Sequence, residues 1–158
     1  MSTAPTPAAP AAPVLTNAGT APATRRKLFV NLPVADLQRA ITFFEALGFQ
    51  FNRHFTDATA TCMLVGEDAY FMLLTEERFA GFSKQPVPDR AAGLGALFTI
   101  SVDSREAVDA MVRAALAAGG GAHAAEPEDH GFMYDWSFVD LDGHGWGVFW
   151  MDPAAIPA

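Results

Sequence analysis

Asp140-Leu141-Asp142-Gly143-His144-Gly145-Trp146-Gly147-Val148-Phe149-Trp150-Met151-Asp152 joins a tight polar turn to the most aromatic run in the chain. Asp and Gly at 140–143 favour a turn, because a short carboxylate bonds its own backbone and glycine adopts positive φ without steric conflict. The run from Trp146 to Met151 is too short and too aromatic for a helix and is closed by Asp152-Pro153, which predicts a final β-strand. An Asp-x-Asp-Gly start also opens calcium loops, but those carry a Glu at the twelfth position. Counting from Asp140 that position is Met151, so calcium is set aside. The Trp-Gly-x-Phe-Trp stripe reads equally as plain core or as a pocket wall, since aromatics dominate both.

Working outward, residues 28–34 form a short apolar strand candidate with Asn31 at its middle and Pro33 near its end. A helix follows, capped by Asp36, with Leu37, Ala40, Ile41, Phe44 and Leu47 on one face and Gly48 as its stop. Residues 49–55, 59–65 and 69–75 then read as three strands. After a Pro- and Gly-bearing connector over 80–95 the order returns: a strand at 96–102, then a helix starting at Asp103, which forms a capping-box-like pair with Glu106. Val108, Met111, Val112, Ala115 and Leu116 give that helix its apolar face, and three more strands are predicted at 123–126, 132–139 and 146–151. Gly119-Gly120-Gly121 follows the helix end rather than preceding a helix, so it is a C-cap and turn, not a phosphate cradle. The chain is thus a duplicated βαβββ module of about 55 residues, too small to bury a core well alone.

Composition bounds the function. The 158 residues are 51% hydrophobic, with net charge -8 and an isoelectric point near 4.7. An acidic protein is disfavoured by nucleic acid phosphates and by anionic membrane surfaces, and Arg25-Arg26-Lys27 is the only basic cluster. No run approaches the ~18 apolar residues of a membrane helix, which predicts a soluble protein. Residues 1–26 are Ala- and Pro-rich, read as a disordered arm rather than a signal peptide, and residues 153–158 as a tail. The single Cys62 excludes an intramolecular disulfide and a Cys-rich zinc site, in keeping with a reducing cytoplasmic location.

The opening Asn31-Leu32-Pro33-Val34-Ala35-Asp36-Leu37, the segment Phe43-Phe44-Glu45-Ala46-Leu47-Gly48-Phe49 and the closing Asp140-Leu141-Asp142-Gly143-His144, set in a duplicated βαβββ order, resemble the vicinal oxygen chelate superfamily. That superfamily includes glyoxalase I, extradiol dioxygenases and bleomycin-resistance proteins. The resemblance spans residues 27–152 and implies a single α+β domain, built from modules 27–79 and 96–152 whose curved sheets form an open cup. In metal-dependent members the first and fourth strands of each module each carry one ligand. By resemblance those positions fall on Phe29 and on Leu73, or on Met72 one residue earlier, in the first module, and on Leu97 and Gly147 in the second. Divalent metals need N, O or S ligands, so this set predicts no bound metal and no cofactor.

What remains is an apolar and aromatic pocket for a small-molecule ligand. Period-two alternation places Asn31 with Phe29, Thr99 and Ser101 with Leu97, and Phe149 with Gly147. Tyr134 and Trp136 complete the expected ligand-binding set of Phe29, Asn31, Leu73, Leu97, Thr99, Tyr134, Trp136, Gly147 and Phe149. Of the four His residues none has metal spacing, and His130, with Tyr134 and Asp135 close by, is the strongest catalytic candidate. The leading expectation is a metal-free binding protein. The alternative is a metal-dependent lactoylglutathione lyase-like enzyme or a dioxygenase whose ligands are displaced; a protein-interaction module is a weaker third. Strand edges left by two cupped sheets, together with the pairing habit of the resembled family, predict a homodimer.

Overall fold

The computed structural model describes residues 26–155, so the expectations for residues 1–25 and 156–158 fall outside the described residues. The first module runs β1 (Leu28–Val34), α1 (Leu37–Ala46), β2 (Gln50–Asn52), β3 (Ala60–Leu64) and β4 (Ala69–Thr75). After α2 (Glu76–Ser83) the second runs β5 (Leu97–Ser101), α3 (Arg105–Ala117), β6 (Gly121–Ala122), β7 (Glu128–Asp129), β8 (Met133–Val139) and β9 (Gly145–Met151). The sheets are ordered β1-β4-β3-β2 and β5-β9-β8-β6, with β7 also on β8. In each, the first strand runs parallel to the last, and the other pairs are antiparallel. The duplicated α+β architecture is therefore present. Among the described residues no helix is long and apolar enough to cross a membrane.

Local chemistry accounts for most boundaries and for four departures from expectation. Asp36 caps α1 by accepting from the Arg39 amide at 2.9 Å, and Gly48 leaves it at φ +93°. The cap of α3 is Ser104, not Asp103: its extended backbone lets the hydroxyl accept from the Ala107 amide. The connector begins with a helix, α2, whose cap is Thr75 and whose first turn carries Glu76 and Glu77 on the favourable end of the dipole. Strand β2 stops at Asn52, because the Asn52 side chain accepts from the His54 amide and starts a 3₁₀ turn over Arg53–Phe55. No strand forms at 123–126; pairing breaks into β6 and β7, with Pro127 unable to donate to a ladder.

Both modules bury one shared core. Strand β9 divides by alternation: Trp146 and Val148 are 0% exposed and face inward with Phe138, while Gly147 and Phe149 face the other way. Val108, Val112 and Ala115 of α3 and Phe43 and Phe44 of α1 cover this inner side. From the first sheet Leu32, Val34, Phe71 and Leu73 join them, and Phe71 meets Phe98 edge-on at 5.1 Å across the modules. Each such side chain contributes roughly 1.5–3 kcal/mol by burial.

The turn at 140–144 pins this arrangement. Asp140, 6% exposed, accepts from the amides of Asp142 and His144 through Oδ1 and from the Trp146 indole through Oδ2 at 3.0 Å. Asp142 accepts from the Ala35 amide, Arg39 donates to the Leu141 carbonyl, and His144 Nε2 lies 2.8 Å from the Pro33 carbonyl oxygen, so the turn ties the second module to the entry of α1. Asp140→Ala strands a buried indole N–H and two turn amides; it is expected to lower stability by about 2–4 kcal/mol by urea denaturation. Asp142→Ala, at a more open position, is expected to lose less. Equal losses would mean that the indole bond adds nothing.

Candidate ligand-binding site

The outward face of the second sheet is read directly from its register. Leu97, Thr99 and Ser101 on β5 stand beside Gly145, Gly147 and Phe149 on β9, and Ser137, Asp135 and Met133 on β8 stand beside Gly147, Phe149 and Met151. A cavity of about 490 Å³ opens on this face. Its side wall is the broken segment between β6 and β7, where His123, Ala124, Glu126 and Glu128 line it. The Trp136 indole holds that wall by donating to the Ala124 carbonyl at 3.0 Å. A Cβ at Gly147 would stand 3.0 Å from Thr99 Oγ1, so glycine keeps the floor open. Neither the Thr99 nor the Ser137 hydroxyl bonds to another described residue, which leaves both to orient a ligand.

The expected site residues separate. Leu97, Thr99, Gly147 and Phe149 line this one cavity, with Trp136 and the catalytic candidate Asp135. Asn31 instead lines a second cavity of about 450 Å³ between β1 and the connector, with Pro33, Phe79, Leu94, Phe98 and His144. Phe29, 51% exposed, stacks on Tyr70 at 4.8 Å and lines neither. Leu73 is a correction: it is 0% exposed on the core side, and Met72, paired with Asn31, is the residue on the Phe29 face. Tyr134 is a second correction. Its ring lies on the helix side of β8 and its hydroxyl donates to Asp109 of α3 at 2.8 Å. Burial, and then that bond to Asp109, push its phenol above the ordinary value, so it is a neutral structural donor near pH 7. Burial likewise raises the Cys62 thiol, in keeping with an inert core residue.

At the mouth, His130 Nε2 lies 3.2 Å from Asp135 and 3.4 Å from Glu128. One donor atom from each of the three residues falls within 4.8 Å of the others. The loop beneath is clamped by Arg105, which pairs with Asp129, donates to the Gly131 carbonyl, and lies over the Tyr134 and Trp150 rings at 5.3 and 5.1 Å. The hydrogen bond from Arg105, then that from the Gly131 amide, hold the Asp129 carboxyl below the usual carboxylate range. The clamp is therefore charged at neutral pH and released only as pH falls through that lowered value. Sequence reasoning missed Met133, Ser137, Glu126 and Glu128. The signal was present in β8, where Met133, Asp135 and Ser137 alternate with the aromatics that fill the core.

The metal positions implied by the resemblance do not fit a metal. Phe29, Leu97 and Gly147 carry no donor, Leu73 is apolar and turned inward, and the Met72 thioether alone offers a soft ligand unsuited to holding a divalent ion.

Two modules, each a sheet whose first strand lies parallel to its last and whose helix covers one shared core, define a glyoxalase-like fold. Residues 26–66 match a family model described as bleomycin resistance protein-like N-terminal. A hypothetical protein from S. aureus is 27% identical, with a TM-score of 0.68 over 80% of this chain and 94% of that one. A glyoxalase/bleomycin resistance protein/dioxygenase family enzyme from Burkholderia phytofirmans PsJN is 22% identical, with a TM-score of 0.64 over 78% of this chain and 96% of that one. An antibiotic binding protein from Streptomyces sp. CB03234 is 20% identical, with a TM-score of 0.57 over 82% and 98%. No curated protein matches the chain. The match over residues 26–66 makes the start of the chain similar to bleomycin resistance protein-like N-terminal segments, and the solved structures share its glyoxalase-like fold.

Gly147→Glu tests the metal reading. The new Cβ crowds Thr99, and the carboxyl enters a site with no cation, so stability is expected to fall by about 1–3 kcal/mol. Melting curves with zinc, nickel or manganese should match those without. Tight metal binding with a gain in stability would show that real ligands stand nearby.

Proposed function

We propose that the chain is a metal-free small-molecule-binding protein that holds an apolar or aromatic ligand on the outer face of its second sheet. The observation that carries this is the floor of the 490 Å³ cavity: Gly147 open between the unengaged hydroxyls of Thr99 and Ser137, flanked by Leu97, Phe149, Met133 and Met151. Apolar walls with a few convergent polar groups are the usual chemistry of organic-ligand pockets. The antibiotic binding protein from Streptomyces is a precedent for such a role in this fold. Every lining residue falls between Leu97 and Met151, so the first module leaves one side open. Closure by a second copy, in a homodimer, also covers Leu28, Phe29 and Leu97, which are 59%, 51% and 52% exposed. A cytoplasmic site of action accords with the single reduced thiol.

A second reading, a metal-dependent lyase or dioxygenase with displaced ligands, has one supporting observation, the convergence of Glu128, His130 and Asp135. Metal analysis of protein purified without chelator separates the two: stoichiometric metal that leaves together with an activity selects the enzyme. For the binding reading, a thermal-shift screen of aromatic metabolites, thiol conjugates and antibiotics in chelator should find a stabilising ligand. At a hundred times its dissociation constant the gain is about 2.7 kcal/mol. Gly147→Leu, which fills the floor, should abolish that shift, and light scattering should give a dimer mass. A shift that survives Gly147→Leu would place the ligand elsewhere.

A further inference from the structure

We propose that this pocket selects ligands carrying a protonated amine on an apolar body, a specificity that rests on the binding function proposed above. The basis is the sign of the charge around the cavity. Glu126, Glu128 and Asp135 line it, and among the described residues no lysine or arginine does. The two arginines of α3 are committed elsewhere: Arg105 pairs with Asp129, and Arg113 with Asp109.

Two of the three carboxylates stand directly opposite one another, because the β7–β8 register sets Glu128 against Asp135. Like charges in that relation repel, and a cation between them relieves the strain. Among the described residues the group found there is His130, whose Nε2 lies 3.2 Å from Asp135 and 3.4 Å from Glu128. One ring N–H serves one acceptor well, so the pair is short of donors. Glu126 bonds to no other described residue. The remaining basic group at the cavity is the His123 imidazole.

An alkylammonium offers three N–H donors and no acceptor, which suits the carboxylate mouth, while its apolar body lies over Gly147 against Leu97, Phe149 and Met151. The net charge of -8 steers cations toward the surface and disfavours anionic analogues of the same shape. A bare metal ion would use the mouth but leave the apolar floor unused, so charge and body together favour an organic cation.

The test uses the full chain in chelator and two matched series, phenethylamine with 2-phenylethanol and phenylacetate, and tryptamine with tryptophol and indole-3-acetate. Within each series the body is nearly constant and the charge varies. By calorimetry the amine should bind about 10-fold or more tightly than the alcohol, as expected for a charge-assisted bond, and the carboxylate most weakly. The Glu128→Gln/Asp135→Asn double variant should erase the amine advantage, bringing the amine to the affinity of the alcohol measured in the same variant. Equal affinities, a carboxylate preference, or an advantage that survives the double variant would overturn the proposal while leaving the pocket itself standing. Failure of every compound in both series would count against the pocket as well. Tight stoichiometric zinc or manganese that blocks the amine in wild type and is lost in the double variant would assign the mouth to a metal instead.

Discussion

The hydrogen bond from the Trp146 indole to the Asp140 carboxylate sets the orientation of everything around it. It anchors the largest buried side chain at the centre of five phenylalanine rings, those of Phe44, Phe49, Phe71, Phe98 and Phe138. A strand has only two faces, so once Trp146 is inward Gly147 and Phe149 are outward. The same carboxylate closes the turn whose neighbours bond to Ala35, Pro33 and Arg39 of the first module. One buried acid thereby couples the packing of two modules to the aim of the ligand face.

Much of this was legible in the chain itself. Asp36, Gly48 and the apolar spacing of the two long helices marked their elements because capping and 3.6-residue periodicity are local effects. The Asp140–Gly143 turn was legible for the same reason. The connector helix was not, although Thr75-Glu76-Glu77 is a fair start signal, because the Pro and Gly residues beyond it suggested a loop. Facing was the harder question. Of the two β8 aromatics expected at the pocket, Trp136 lines the cavity but Tyr134 serves the α3 side, and Met133, Asp135 and Ser137 of the same strand make up the rest of its share. Leu73 failed by one residue, and on a strand one residue exchanges the faces.

The chemistry of the site follows from what the outer face lacks as much as from what it holds. Donors are missing at the positions where the resembled enzymes place a metal, and the space is kept by glycine rather than filled. Charged groups are displaced to the rim, where the Arg105 clamp fixes the loop that carries His130 beside two carboxylates. The proposed cation specificity uses that division, with one end for a hydrocarbon body and the other for positive charge. Glu126 and Glu128 reach this face from the break between β6 and β7, on either side of Pro127.

The most direct measurement of the central claim is amide chemical-shift mapping with a stabilising ligand in the presence of chelator. The account predicts changes concentrated at Thr99, Asp135, Ser137, Gly147 and Phe149, with His123 to Glu128 following and the metal-free state unaltered. Changes gathered instead at Asn31, Gly93 to Ala96 and His144, around the connector cavity, or changes that disappear when chelator is added, would contradict it.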